Sequence, residues 1–192
     1  MSRDEPDRPA PGDLWVFGYG SLLWNPGFGF AEARAARLVG HHRALCITSH
    51  RYRGTVERPG LVLGLDRGGS CLGLAYRVDA ADAAAVRDYL REREMVTGAY
   101  REGLRPVRLA DGVSVMALSY AADRSHRQYA GHLSRDQRLE MVRHGVGIAG
   151  ANVDYVLNTV ARLAEIGVRD EELDWFAERL RGDGPSGRLG ER

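Results

Sequence analysis

Two short stretches of the sequence hold residue types that could do chemistry. The first is Phe17-Gly18-Tyr19-Gly20-Ser21-Leu22, where a predicted strand enters a loop with two glycines. Glycines allow successive backbone N–H groups to converge, which makes a donor site for a carboxylate, a phosphate or a developing oxyanion. The third glycine of G-x-G-x-x-G and the lysine of a P-loop are missing, so nucleotide binding is not favoured. A strand that simply bends at its glycines remains the alternative.

The second stretch is a predicted helix that begins with Asp79 as its N-cap and ends in an acid. Val86 and Leu90 lie on its apolar stripe, and the same face continues by helical spacing to Glu94. Burial there would disfavour the ionised carboxylate and raise the pKa of Glu94, as a proton-transfer group requires near neutral pH. The alternative is a frayed helix end, with Glu94 in solvent or paired with Arg93.

The composition indicates a globular protein and excludes several function classes. The 192 residues are 44% hydrophobic and 28% charged, which predicts one compact domain over residues 13–181. Polar tails rich in proline and glycine are predicted for residues 1–12 and 182–192. A formal net charge of +1 favours neither a nucleic acid nor an anionic membrane as partner. All 27 basic residues are arginine, which excludes a lysine Schiff base.

Cysteine and histidine usage predicts a protein without a metal ion or another cofactor. Cys46 and Cys71 lie in apolar segments without a paired ligand spacing, as reduced core thiols do. The six histidines show no metal-binding spacing. The sequence has neither a long apolar run nor a signal-peptide core, so we expect a cytoplasmic protein with no membrane partner.

The elements that must position these residues change in type along the chain. The first two-thirds predict short strands over Leu14–Tyr19, Leu38–Thr48, Leu61–Asp66, Cys71–Val78, Leu104–Leu109 and Val113–Tyr120. Tight hairpins are predicted at Arg67-Gly68-Gly69-Ser70 and at Asp111-Gly112. The last third predicts helices from a Ser134-x-x-Gln137 capping box to Gly145, over Asn152–Ile166 and over Asp170–Arg181.

Four segments in order, residues 15–28, 53–70, 89–100 and 147–157, carry a resemblance to a known family. They resemble the ChaC-type γ-glutamylcyclotransferases, and the likeness covers nearly the whole chain apart from the tails. The resemblance implies an α+β fold, a small mixed β-barrel with flanking helices and a ligand pocket at one mouth. It also implies cleavage of a γ-glutamyl amide, typically that of glutathione, to 5-oxoproline and cysteinylglycine.

The same resemblance implies roles for individual residues. Glu94 would be the catalytic acid, and the loop of Tyr19, Gly20, Ser21 and Leu22 would hold the γ-glutamyl group. Apart from the resemblance, backbone donors of the loop from Gly18 to Leu22 would bind the substrate's glutamyl end or the oxyanion. Tyr129 takes the place of a family tyrosine at the pocket, although Ala130 replaces the leucine of many relatives. Apart from the resemblance, Arg53 belongs to an arginine-rich loop and could bind a carboxylate at the far end of a substrate. A solvated loop is the alternative for Arg53.

The chemistry of a γ-glutamyl amide explains why so few residues are needed. The substrate's α-amine can attack its own γ-carbonyl and form a five-membered lactam, so no protein nucleophile or cofactor is required. Glu94 would take a proton from the α-ammonium and return it to the departing nitrogen. Two alternatives stay open: a cyclotransferase for other γ-glutamyl amides, and a non-catalytic ligand-sensing or regulatory module of a cation transporter. The sequence does not fix the oligomeric state.

Overall fold

The computed structural model describes residues 12–182, which group into two compact units. The first unit comprises residues 12–47 and 63–131, and the second comprises residues 48–62 and 132–182. The predicted tails lie outside the described residues except for Gly12 and for Gly182, which ends the last helix. The single domain expected over residues 13–181 stays a prediction.

Five strands form a closed, mixed barrel. They are β1 (Leu14–Gly18), β2 (Glu32–Ser49), β3 (Gly60–Val78), β4 (Tyr100–Leu109) and β5 (Ser114–Ala122). Around the barrel the order is β1-β3-β2-β4-β5, with β1 antiparallel to β3 and parallel to β5. Two further strands, β6 (Val146–Gly147) and β7 (Gly150–Ala151), pair with each other. The predicted α+β class with a small mixed barrel is confirmed.

The glycines of β3 bend the strand instead of reversing the chain. The tight hairpin expected at residues 67–70 is wrong, because residues 60–78 form one continuous strand. Gly68 and Gly69 do adopt positive φ angles of 99° and 67°. Before these glycines the strand pairs with β5, and after them it pairs with β1. The positive φ angles therefore allow β3 to bend between its pairing with β5 and its pairing with β1, as in a β-bulge. The other expected hairpin, at Asp111-Gly112, joins antiparallel β4 and β5 and is confirmed.

Four α-helices within residues 12–182 occupy the expected parts of the chain. They are α1 (Ala83–Glu94), α2 (Arg135–His144), α3 (Asn152–Glu165) and α4 (Glu171–Gly182). The capping box of Ser134 and Gln137 at the start of α2 is confirmed. The N-cap predicted for α1 is wrong, because α1 follows Asp82. The carboxylate of Asp79 instead pairs with the Arg77 guanidinium at 3.1 Å.

The second unit contains a buried amide that joins α3 to the start of β3. The side chain of Asn152 is fully buried. Its Oδ1 accepts the Leu61 N–H at 2.6 Å, and its Nδ2 donates to the Leu61 carbonyl at 2.7 Å. Because Leu61 is also fully buried, these two backbone groups depend on Asn152 for hydrogen bonding.

The first testable prediction concerns this amide. Asn152→Ala leaves a buried N–H and a buried carbonyl without partners, so it should lower the free energy of unfolding by about 2 kcal/mol or more. Denaturant unfolding followed by tryptophan fluorescence measures the change. The matched control is Asn158→Ala, an exposed site on the same helix, with an expected change within about 0.5 kcal/mol. Equal effects of the two substitutions would contradict the assignment.

Candidate active site

The loop predicted to bind a ligand leaves the end of β1 and enters a short 3₁₀ turn, Ser21–Leu23. Gly18 allows the close packing at this point. A Cβ at Gly18 would lie 2.9 Å from Cε2 of Tyr76 and 3.2 Å from Cβ of Leu22. The Tyr76 hydroxyl donates to the Leu22 carbonyl at 2.7 Å. Strand β3 therefore fixes the position of the turn.

Tyr19 is fixed at both its side chain and its backbone. Its buried hydroxyl donates to the carbonyl of Tyr120 at 2.7 Å, and its carbonyl accepts a hydrogen bond from Nε of Arg43 at 2.6 Å. The side chain of Tyr19 is thus part of the protein core. Because Tyr19 is anchored in this way, the turn that begins after it starts from a fixed point.

The backbone amides of this turn are available as donors. The carbonyls of Gly20 and Ser21 accept hydrogen bonds from residues further along the turn. The N–H groups of Gly20, Ser21 and Leu22 have no hydrogen-bond partner within residues 12–182. Gly20 and Leu22 are buried, and buried N–H groups are normally satisfied by protein, water or ligand. This arrangement supports the predicted donor site.

Glu94 is the last residue of α1 and lies on the buried face of that helix. Val86 and Leu90 of the same face are buried, and the Glu94 side chain is only 18% exposed. Glu92, two residues earlier, is exposed. Burial raises the pKa of Glu94 above its ordinary value, and the neighbouring Arg93 opposes this shift without cancelling it. The expected burial of Glu94 is confirmed.

One guanidinium connects the loop to the acid. Nη2 of Arg93 donates to Oγ of Ser21 at 2.9 Å, and Nε of Arg93 lies 3.2 Å from Oε1 of Glu94. The structure thereby brings Ser21 and Glu94 to the same side chain. From the sequence, Arg93 was visible only as a charge next to Glu94. Its contact with a loop 72 positions earlier depends on the tertiary fold.

A second neighbour of the acid, Tyr120 on β5, was also missed by sequence reasoning. The side chain is fully buried, and its hydroxyl donates to Oε2 of Glu102 at 3.2 Å. Burial raises the pKa of Tyr120, and the negative charges of Glu102 and Glu94 raise it further. Arg91 binds both carboxylate oxygens of Glu102, at 2.9 and 3.0 Å. Tyr120 therefore stays a neutral phenol beside the acid.

Tyr129 lies in the first unit, where it binds an acidic side chain. Its hydroxyl donates to Oδ2 of Asp66 at 2.8 Å, and Oδ1 of Asp66 accepts from Nε of Arg124 at 2.6 Å. Burial and the hydrogen bond to Asp66 raise the pKa of Tyr129 to about 12. Tyr129 is thus a neutral donor to Asp66, and its assignment to the ligand pocket stays a prediction.

Arg53 lies in the second unit. Its Nη1 donates to the Ala151 carbonyl at 3.1 Å, and its guanidinium carbon lies 5.4 Å from the ring centroid of Tyr155. These contacts stabilise the guanidinium by a hydrogen bond and a cation–π interaction. The binding role expected for Arg53 stays a prediction.

The two cysteines are thiols of the protein core. Cys46 and Cys71 are both buried and free, as expected. Within residues 12–182, no group of three or more His, Cys, Asp or Glu residues is arranged to hold a metal ion. In the same range, no helix combines the length and apolar character needed to cross a membrane.

Comparison with known proteins identifies the family to which this chain belongs. The family model described as ChaC-like protein matches residues 14–181, and the chain belongs to this family. The glutathione-specific γ-glutamylcyclotransferase of Escherichia coli is 35% identical over 167 residues, which are 87% of this chain and 72% of that protein. Human glutathione-specific γ-glutamylcyclotransferase 1 is 31% identical over 151 residues, covering 77% of this chain and 68% of that protein.

A solved structure supports the fold. The crystal structure of a γ-glutamyl cyclotransferase specific to glutathione from yeast superimposes with a TM-score of 0.83. The match covers 93% of this chain and 100% of that chain at 19% sequence identity. At this low identity the likeness is evidence for the shared barrel architecture alone.

The second prediction concerns Gly27, which lies after the turn and approaches α1. Its φ is +74°, and a Cβ there would lie 2.0 Å from the Tyr89 hydroxyl oxygen and 3.3 Å from Nη1 of Arg93. Gly27→Ala should therefore lower the free energy of unfolding by about 1 kcal/mol or more, as the left-handed conformation alone costs that much. Gly29→Ala is the matched control, because nothing lies within 4 Å of its added Cβ. Thermal melting that does not separate the two variants would contradict the packing argument.

Proposed function

We propose that this protein is a γ-glutamylcyclotransferase that cleaves glutathione to 5-oxoproline and cysteinylglycine. The observation that carries the proposal is the buried Glu94 carboxyl group, which the Arg93 guanidinium connects to Ser21 in the turn after β1. Three backbone N–H groups of this turn have no hydrogen-bond partner among residues 12–182. Membership of the ChaC-like family and the similarity to glutathione-specific relatives support the same reaction.

The reaction needs a base, an acid and a site that orients the substrate. The α-amine of the glutamyl group attacks its own γ-carbonyl carbon, so a carbon–nitrogen bond forms within the substrate. The amide bond to the cysteine nitrogen breaks, and that nitrogen leaves with a proton. Atoms balance without water, a redox partner or a protein nucleophile, which agrees with the expectation that no cofactor is needed.

Glu94 is suited to move the proton in both directions. Its ionised carboxylate accepts a proton from the substrate's α-ammonium, which frees the amine to attack. The resulting carboxylic acid then donates this proton to the departing nitrogen. The second proton that the α-nitrogen loses as it becomes the lactam N–H passes to the released amine, so cysteinylglycine leaves as an ammonium. Burial raises the pKa of Glu94, so the affinities of the carboxylate and the amine for the proton are brought closer together.

The turn supplies the binding surface in this proposal. Gly18 and Tyr19 set its position, and the amides of Gly20, Ser21 and Leu22 donate to the substrate's α-carboxylate or to the oxyanion that forms at the γ-carbon. Preorganised donors of this kind stabilise developing charge without reorganisation during the reaction.

Three expectations complete the proposal. Tyr129 contributes to the pocket, and Arg53 binds the carboxylate at the glycine end of glutathione. The protein works in the reducing environment of the cytoplasm, which agrees with the free thiols of Cys46 and Cys71.

The third prediction tests the role of Glu94. Glu94→Gln keeps the shape of the side chain but cannot accept the proton, so kcat for glutathione should fall by about 10²–10⁴-fold while binding is retained. Product formation measures kcat, and isothermal titration calorimetry measures binding. Glu92→Gln, an exposed site on the same helix, is the matched control and should keep wild-type kcat. Near-normal turnover by Glu94→Gln would overturn the assignment.

The fourth prediction concerns pH. Only ionised Glu94 accepts the proton, so kcat/KM should fall as pH drops through the pKa of Glu94 in the free enzyme. Burial raises that pKa, and the acidic limb should therefore lie above the ordinary glutamate value of 4.5. A pH profile of kcat/KM for glutathione locates the limb. A limb at 4.5 or below would contradict this environment for Glu94.

A further inference from the structure

The Arg93 side chain makes more contacts than an ion pair with Glu94 requires. Besides Ser21 and Glu94, its Nη1 donates to the carbonyl of Asn25 at 2.8 Å and to that of Pro26 at 3.2 Å. Ser21, Asn25 and Pro26 all belong to the segment after β1. One guanidinium therefore holds a side-chain hydroxyl and two backbone carbonyls of this segment while it contacts the carboxylate of Glu94.

The packing around this guanidinium makes it a rigid connection. The Tyr89 hydroxyl lies 3.0 Å from Nη1 of Arg93, one helical turn earlier on α1. The Tyr89 ring also packs edge-on against Phe28, with centroids 6.4 Å apart. Gly27 admits both α1 side chains, since any Cβ there would collide with the Tyr89 hydroxyl. The Arg93 side chain is 21% exposed, so solvent competes weakly for its donors.

We infer that Arg93 is a positioning residue that holds the substrate-binding turn in register with the Glu94 carboxylate. This inference rests on the proposed function, which assigns the turn and Glu94 to one reaction. Arg93 suits the task better than lysine would, because a planar guanidinium donates in several fixed directions at once. Arg93 need not touch the substrate, and acts by setting the distance between the amides of the turn and the acid.

Arg93 also has a separate effect through its charge. Within residues 12–182, the charged or titratable groups that interact with Glu94 are Arg93 on its own helix and Tyr120 on β5. Tyr120 is a neutral phenol bound to Glu102, which is itself paired with Arg91. Arg93 is therefore the cation that lowers the pKa of Glu94 against the effect of burial. Removing the charge should raise that pKa further.

The fifth prediction separates the geometric effect from the effect of charge. Arg93→Met removes both, so kcat/KM for glutathione should fall by about 10- to 100-fold and its acidic limb should move to higher pH. Arg93→Lys keeps the charge but cannot reach all the acceptors. Its acidic limb should stay in place while KM rises and kcat/KM falls.

The matched control is Arg87→Met on the same helix, because the Arg87 side chain makes no hydrogen bond or ion pair with residues 12–182. It should keep the wild-type kcat, KM and acidic limb. Thermal melting of each variant identifies loss of folding, and if Arg93→Met does not fold, the KM and acidic limb of Arg93→Lys decide the matter.

Two outcomes would overturn the inference. One is wild-type kcat/KM in Arg93→Lys and in folded Arg93→Met, and the other is an equal shift of the acidic limb in Arg87→Met and Arg93→Met. Failure of the proposed function is a different result, because the wild-type protein itself would then form no products from glutathione.

Discussion

The burial of the Glu94 carboxyl group beside the Arg93 guanidinium is the constraint on which the candidate site depends. A carboxylate removed from water is costly, so its pKa rises until a partner compensates. Arg93 compensates only part of the cost of burying the Glu94 carboxylate, because its guanidinium also donates hydrogen bonds to Ser21 and to two backbone carbonyls of the segment after β1. Glu94 is thereby left with a raised pKa, and the loop is held at the same place by the same group.

The barrel provides the rigid frame for this arrangement. Strand β3 fixes the turn through the Tyr76 hydroxyl, and β5 fixes Tyr19 through the Tyr120 carbonyl. The Tyr120 side chain, on the same strand, lies beside Glu94 as a neutral phenol. The acid, the turn and the tyrosines that hold the turn belong to one compact unit, residues 12–47 and 63–131. A site that depends on a single proton acceptor needs such a frame, since errors in placement lower the rate steeply.

Local signals predicted the elements and the acid, whereas long-range contacts could not be predicted. The capping box at Ser134 and the stripe that leads to Glu94 are patterns within a few residues, and both are confirmed. The hairpin expected at residues 67–70 was wrong because two glycines with positive φ are compatible both with a bend in one strand and with a reversal of the chain. Only the pairing of the strands distinguishes a bend from a reversal. The contact of Arg93 with Ser21 joins positions 72 residues apart, and helix or strand periodicity cannot predict a contact over that separation.

The central claim is that the substrate supplies its own nucleophile. Incubation of the full chain with reduced glutathione, without added metal or nucleotide, tests it when 5-oxoproline, cysteinylglycine and free glutamate are all quantified. The account predicts equal amounts of 5-oxoproline and cysteinylglycine and no glutamate. Glutamate formed together with cysteinylglycine would show attack by water, and the absence of all three products would show that glutathione is not the substrate; either result would contradict the account.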